Sequence, residues 1–260
     1  MPTPFKKITF LVLAAGLVLS GCRKDSESQG NTSALDLATV LENQGQPAAI
    51  NDTLRLSNGR DFVLRKFKLY LSNINLVKVN GSKTKLSDVF LADVGDANTG
   101  RIRISEISSE ENYQSIEFGL GLDSVQNDSD PTSFPLEHPL STFNQMYWSM
   151  LKYRFAIVEG RSNVADSLGN TQSDVLHAYH PGTDPLYKEV TLPLPQGFNQ
   201  QLDNSNSPNL KIVVDIDQLF TNAPAIDMVN EPQTHSEPVD IATAIKFMNN
   251  LQAAVKLELE

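Results

Sequence analysis

The chain has 260 residues, 21 of them basic and 31 acidic, for a net charge of −10. That balance is spread along the chain and excludes a nucleic-acid binder working by phosphate neutralisation. With one cysteine, Cys22, a disulfide framework and a multi-thiolate metal site are excluded too. A metal here must draw on His, Met, carboxylate or backbone oxygen.

The N-terminus comes first. Lys6 and Lys7 precede an apolar run from Ile8 to Leu19, interrupted by Thr9 and Gly16. The run is too short to cross a bilayer and reads as a secretory signal. It ends in "LSGC", Leu19 to Cys22, which resembles the bacterial lipobox, where the cysteine is acylated and the chain is cut just before it. The expectation is a signal peptide at residues 1–21, a lipid at Cys22, and an anchor to the membrane without a spanning helix. Removing Lys6 and Lys7 with the signal takes the net charge from −10 to −12. "CRKDSES" and the polar residues to Asn31 read as a flexible tether over 22–34. They resemble the tails that follow the lipid cysteine in Bacteroidetes lipoproteins.

From Leu35 onward strand signals dominate. "DFVLRKFKLYLSNINLVKV" puts Phe67, Leu69 and Leu71 on one face, with Lys66, Lys68 and Tyr70 opposite. Asn80 to Ser82, "NGS", reads as a turn into the apolar run "DVFLADV". "YQSIEFGLGL" aligns Ile116, Phe118, Leu120 and Leu122; "KEVTLPL" aligns Val190, Leu192 and Leu194; "NLKIVVDID" aligns Leu210, Ile212, Val214 and Ile216. Two stretches read as helical: Ser141 to Leu151, with Ser141 or Thr142 as N-cap, and Val239 to Asn250. Asn199 to Pro208 reads as a polar loop. The whole is expected to be a single all-β domain over 35–260, a β-sandwich with a few short helical insertions.

Few chemical motifs survive inspection. There is no His-Glu-x-x-His, Gly-x-Ser-x-Gly or phosphate-binding loop. "GLGLDS" lacks a third glycine and is expected at a strand end with no helix after it. "DVGDANTG" and "DSVQNDSDP" offer oxygens without the spacing of a calcium loop and read as solvated loops. No nucleophile and base stand at diagnostic spacing, so the chain is not expected to be an enzyme.

All four histidines, His138, His177, His180 and His235, lie in the later part of the chain. Imidazole suits copper and zinc, and thioether suits Cu(I). His177 and His180 are three apart in an extended stretch, so they point to opposite faces and do not share an ion. His180 precedes Pro181 at a strand end, where a ligand has room. In "NQMYWSMLKYRF", read as helical, Met146 and Met150 share a face, and such stripes usually pack a core. The segment also holds the only tryptophan, Trp148.

Taken together, "KFKLYLSNINL", "PLSTFNQMYWSMLKYRFAIVEG", "YHPGTDPLYKEVTLPLP", "KIVVDIDQLF" and the closing "AAVKLELE" resemble, in order and spacing, the MbnP-like copper-binding domain family. The resemblance spans roughly Leu35 to Glu260. It implies an envelope β-sandwich associated with copper and a di-haem peroxidase-like redox partner. It matches His180 to the family's His-x-Gly histidine and Trp148 to the first tryptophan of Met-Tyr-Trp-x-Trp. Met150 stands where the second tryptophan would be, Gln145 where a glycine precedes the Met, and Lys152 where a glycine precedes Tyr153.

The leading expectation is a lipid-anchored copper-binding protein of the cell envelope, in periplasm or outer membrane. It captures or hands over copper through His180, His235, His138 and Met146, with Trp148 close by as an aromatic or redox-modified residue. Each imidazole would need an acceptor to orient it; Asp174 and Asp184 are near in sequence only. The alternative is a structural, adhesion or glycan-binding sandwich without metal. It expects Trp148 on a face remote from the histidines.

Overall fold

Alternating apolar residues from Phe62 to Leu76 build the longest strand of the computed structural model, which describes residue 1 and residues 31–95, 100–163, 175–203 and 207–260. Residues 2–21 of the signal, Cys22, most of the tether, residues 96–99 of "DVGDANTG" and Asp174 lie outside the described residues.

In chain order the strands are β1 (Thr32–Asn43), β2 (Gln46–Ala48), β3 (Thr53–Arg55), β4 (Asp61–Lys78), β5 (Lys83–Asp93), β6 (Arg101–Ser108) and β7 (Tyr113–Leu120). A one-turn helix, α1 (Ser124–Asn127), leads into an irregular excursion that ends in the hairpin β8 (Tyr147–Trp148) and β9 (Lys152–Tyr153). Then come β10 (Ala156–Ser162), β11 (Val175–Tyr179), β12 (Lys188–Pro193), α2 (Phe198–Asp203), β13 (Asn209–Asp215), α3 (Ile216–Thr221), β14 (Gln233–Thr234), α4 (Ile241–Ala254) and β15 (Val255–Leu259).

Two sheets make an all-β, sandwich-like domain with short helices. One has the order β15-β13-β1-β2, with β6 also on β1; β1 and β13 run parallel, Asp36 opposite Asn209 through Glu42 opposite Asp215. The other has the order β12-β7-β4-β10-β11-β14, with β3 and β5 also on β4. Leu35, Leu37, Phe67, Leu69, Ile116, Phe118, Leu210 and Ile212 from both sheets join one buried core with Phe220, Phe247 and Leu251 from α3 and α4. The expected inward sets of β4, β7 and β13 are buried.

Several expectations are corrected. Tyr70, placed opposite the core with the lysines, is fully buried, because the excursion after α1 covers that face and the Pro139 carbonyl accepts its hydroxyl at 2.8 Å. Residues 141–151 are not a helix. Ser141 does cap a turn, accepting from the Phe143 N–H at 3.2 Å, but the turn ends at Gln145, whose φ of 57° is left-handed. From there the chain enters the hairpin, closed by the Leu151 N–H on the Trp148 carbonyl at 3.0 Å and by a second left-handed residue, Lys152 (φ 62°). "GLGLDS" does end a strand, yet α1 comes directly after it, capped by the Asp123 carboxylate. The expected loop at 199–208 begins as α2. β1 starts at Thr32, so the last tether residues are already paired, Thr32 with Ser108.

Candidate metal centre

Three neighbouring strands and the hairpin bring Glu159, His180, His235 and Trp148 together. β11 and β14 are parallel, with Ala178 opposite Gln233 and Tyr179 opposite Thr234. Continued by one residue, that register sets His180 opposite His235. The His180 N–H donates to the Thr234 carbonyl at 2.9 Å and holds the continuation. Directly opposed residues lie on the same face of a sheet, and the two imidazoles indeed meet, ring centroids 5.1 Å apart at 82°. On the other side of β11, Glu159 of β10 stands opposite Ala178. Its face is therefore that of His180, two residues on, and such diagonal neighbours are within reach of long side chains. Glu159 Oε1 lies 2.9 Å from His180 Nε2.

The His235 loop is tied down by one carboxylate. Asp240 Oδ2 accepts the His235 N–H at 2.9 Å, and Oδ1 accepts the Glu237 N–H at 2.9 Å and the Thr234 hydroxyl at 3.0 Å. Ser236, at φ 61°, accepts the Gly182 N–H at 2.9 Å and so links the loop to the turn after His180. Only glycine fits at 182, since a Cβ there would stand 2.6 Å from the Tyr153 carbonyl oxygen. Trp148, half-buried on the hairpin, packs edge-on against His235 with centroids 5.4 Å apart at 76°. The contacts form a chain from Trp148 to His235, from His235 to His180 and from His180 to Glu159.

His180 is 8% exposed, and burial pushes its pKa down to about 4, with Arg154 and His235 acting the same way and Glu159 against. At neutral pH its contact with Glu159 is a hydrogen bond from a neutral ring, and one ring nitrogen keeps its lone pair. His177 points the other way, as its spacing predicts. Its Nε2 lies 2.7 Å from the Ser162 hydroxyl and its Nδ1 3.3 Å from the Tyr179 hydroxyl. Burial holds it at about 4 as well, and the Ser162–His177 pair is sealed inside the fold.

Not every expected ligand joins the pair. His138 stacks on Phe134 at 4.2 Å, and its Nδ1 accepts the Leu140 N–H at 3.1 Å, so it stiffens its own turn. Among the described residues no three His, Cys, Asp or Glu side chains gather into a metal-holding group. Met146 is fully buried in the core, whereas Met150 is 70% exposed at the hairpin turn. Their shared helix face does not exist. Asp184 accepts from the Asn127 amide at 2.7 Å. Glu159, which the sequence pattern does not single out, is the carboxylate at His180.

The family model for MbnP matches residues 32–237, a span that holds all four histidines, Trp148 and Glu159. The chain belongs to the MbnP family. A solved structure, MbnP from Methylosinus trichosporium, is similar to it at 16% identity, over 70% of this chain and 76% of that chain, with a TM-score of 0.45. No curated protein matches. The MbnP match ends two residues after His235, so α4 and β15 lie beyond it.

The donor set can be tested against copper, the metal the family resemblance implies. Two imidazoles on one tetrahedral ion, with bonds of about 2 Å, have ring centroids about 5 Å apart. The 5.1 Å between His180 and His235 meets that distance. A buried, neutral imidazole also presents a lone pair without first losing a proton. The separation of the two rings admits an ion that accepts two nitrogen donors.

Proposed function

We propose that this MbnP-family chain is a lipid-anchored copper-binding protein of the cell envelope, acting in copper capture or handover with a redox partner and not in catalysis. The observation that carries the reading is the His180–His235 pair at 5.1 Å, with Trp148 against its outer ring. His180 and His235 would hold the ion, and imidazole donors without thiolate favour copper over Mg²⁺ or Ca²⁺. Copper is the cargo, and it supplies a one-electron couple at a surface that Trp148 shares. Met146 and His138 support folding in this reading. The lipobox-like "LSGC" supports attachment at Cys22, and the family resemblance supports a di-haem peroxidase-like partner.

The alternative reading expects Trp148 on a face remote from the histidines, whereas it packs on His235. The test is copper retention. Purified protein spanning residues 23–260, loaded anaerobically with Cu(I), is expected to hold about one equivalent against a weak chelator. His180→Ala and His235→Ala are expected to lose most of it, and His138→Ala to keep it. Trp148 is the only tryptophan, so copper binding should also quench the protein's indole fluorescence. A wild-type chain that keeps no copper and shows no quenching sinks the proposal.

A further inference from the structure

The contact between Glu159 and His180 decides more than the tilt of a ring. A carboxylate accepts hydrogen bonds and donates none. The 2.9 Å approach of Glu159 Oε1 to His180 Nε2 therefore needs the proton on Nε2. In a neutral imidazole the other nitrogen, Nδ1, then carries the lone pair. The backbone that carries the ring is fixed as well, since the His180 N–H is bound to Thr234 and the next two residues, Pro181 and Gly182, are tied to Phe155 and Ser236. Glu159 is itself fixed on the central part of β10, between Lys66 of β4 and Ala178 of β11.

We infer that Glu159 is a positioning residue that sets the tautomer of His180, so that His180 presents Nδ1, and not Nε2, to a soft metal ion shared with His235. The inference rests on the copper reading above and names the atom through which it works. A hydrogen bond from the distal nitrogen to a carboxylate makes an imidazole a more basic donor and stops the ring from turning. Glu159 thus contributes to affinity without touching the ion. An amide oxygen at the same place can accept the same proton, so glutamine should serve almost as well.

The experiment uses long-range ¹H–¹⁵N correlation of the histidine rings in the full-length chain, which has four to assign. It is run without metal and with one equivalent of Cu(I), a diamagnetic ion, beside chelator competition for affinity. In the metal-free protein His180 is expected to show a protonated Nε2 and a bare Nδ1. Cu(I) is expected to move the Nδ1 resonance and leave Nε2–H in place. Glu159→Ala is expected to mix the tautomers and weaken Cu(I) binding about 10- to 100-fold, while Glu159→Gln restores both. A metal-free His180 protonated on Nδ1 overturns the inference whatever the copper result. Cu(I) on Nε2, or a Glu159→Ala variant with unchanged tautomer and affinity, overturns it while leaving the copper reading intact. If Cu(I) moves neither His180 nor His235, the copper reading fails and the inference goes with it.

Discussion

His177 and His180 sit three residues apart, and burial lowers both to about 4, yet they do different work. His180 faces Glu159 and His235 at the rim; His177 is enclosed by Ser162, Tyr179 and the edge of Phe62. Enclosure has a pH signature. The unfolded chain takes up a proton on His177 below about 6.5, whereas the folded chain refuses it until about 4. The unfolded state therefore binds more protons in that window, and stability falls as pH drops through it. Urea denaturation of the metal-free protein at pH 7.5 and at pH 5 should show the fall. In His177→Asn the loss between the two should be smaller by about 1 kcal/mol per pH unit. The variant should also start about 1–3 kcal/mol less stable at pH 7.5, since Ser162 loses a buried partner. An unchanged pH slope would mean that His177 charges freely in the fold.

At the scale of elements, the site is a product of register, with β10 and the residues just past β11 and β14 each delivering one side chain to the same face. β14 is only two residues long, so the His235 loop depends on Asp240 for its shape. Asp240→Ala removes three hydrogen bonds while leaving both rings intact. It is expected to displace His235 from His180, weaken Cu(I) binding at least 10-fold in chelator competition, and shift the Trp148 emission maximum. Affinity and emission equal to wild type would show that the loop holds itself. Part of this arrangement is legible in the sequence. Period-two alternation marks β4, β7, β12 and β13, and strand geometry separates His177 from His180. The pairing of β11 with β14 is not legible, because a parallel bridge between Tyr179 and Thr234 joins stretches with no local signal for each other. Nor is Glu159 legible as the partner of His180. The hairpin at 147–153 reads as a helix because its spacing of Met and aromatics suits both. The left-handed residues that decide it, Gln145 and Lys152, are not glycines. β1 buries Leu35, Leu37, Thr39 and Leu41 on one face, but a threonine in that set and the apolar Ala38 and Val40 on the other blur the alternation in the sequence.

Over the whole molecule, the candidate site and the fold do not end at the same place. The match to the MbnP family model stops at residue 237, but α4 still has to close the core and β15 has to cover the open edge of β13. Phe247, Met248 and Leu251 of α4 are each fully buried, against α3 and the sheets. Burying three such side chains is worth about 5–8 kcal/mol. A domain's entire stability is about 5–15 kcal/mol, so their loss alone would consume much or all of it. Ending the chain at 237 also removes Asp240 and exposes the apolar outer edge of β13 from Leu210 to Val214. The truncated protein is therefore expected to show no cooperative unfolding transition by circular dichroism and to retain no copper, although every proposed ligand is still present. Graded substitutions separate this from a failure of expression. Leu251→Ala should cost about 2–5 kcal/mol and lower the urea midpoint, with Cu(I) affinity unchanged while the protein stays folded. A truncated chain that unfolds cooperatively and binds copper like the full one would make residues 238–260 an appendage. In that case the core between the sheets, without α4, would have to supply all the stability.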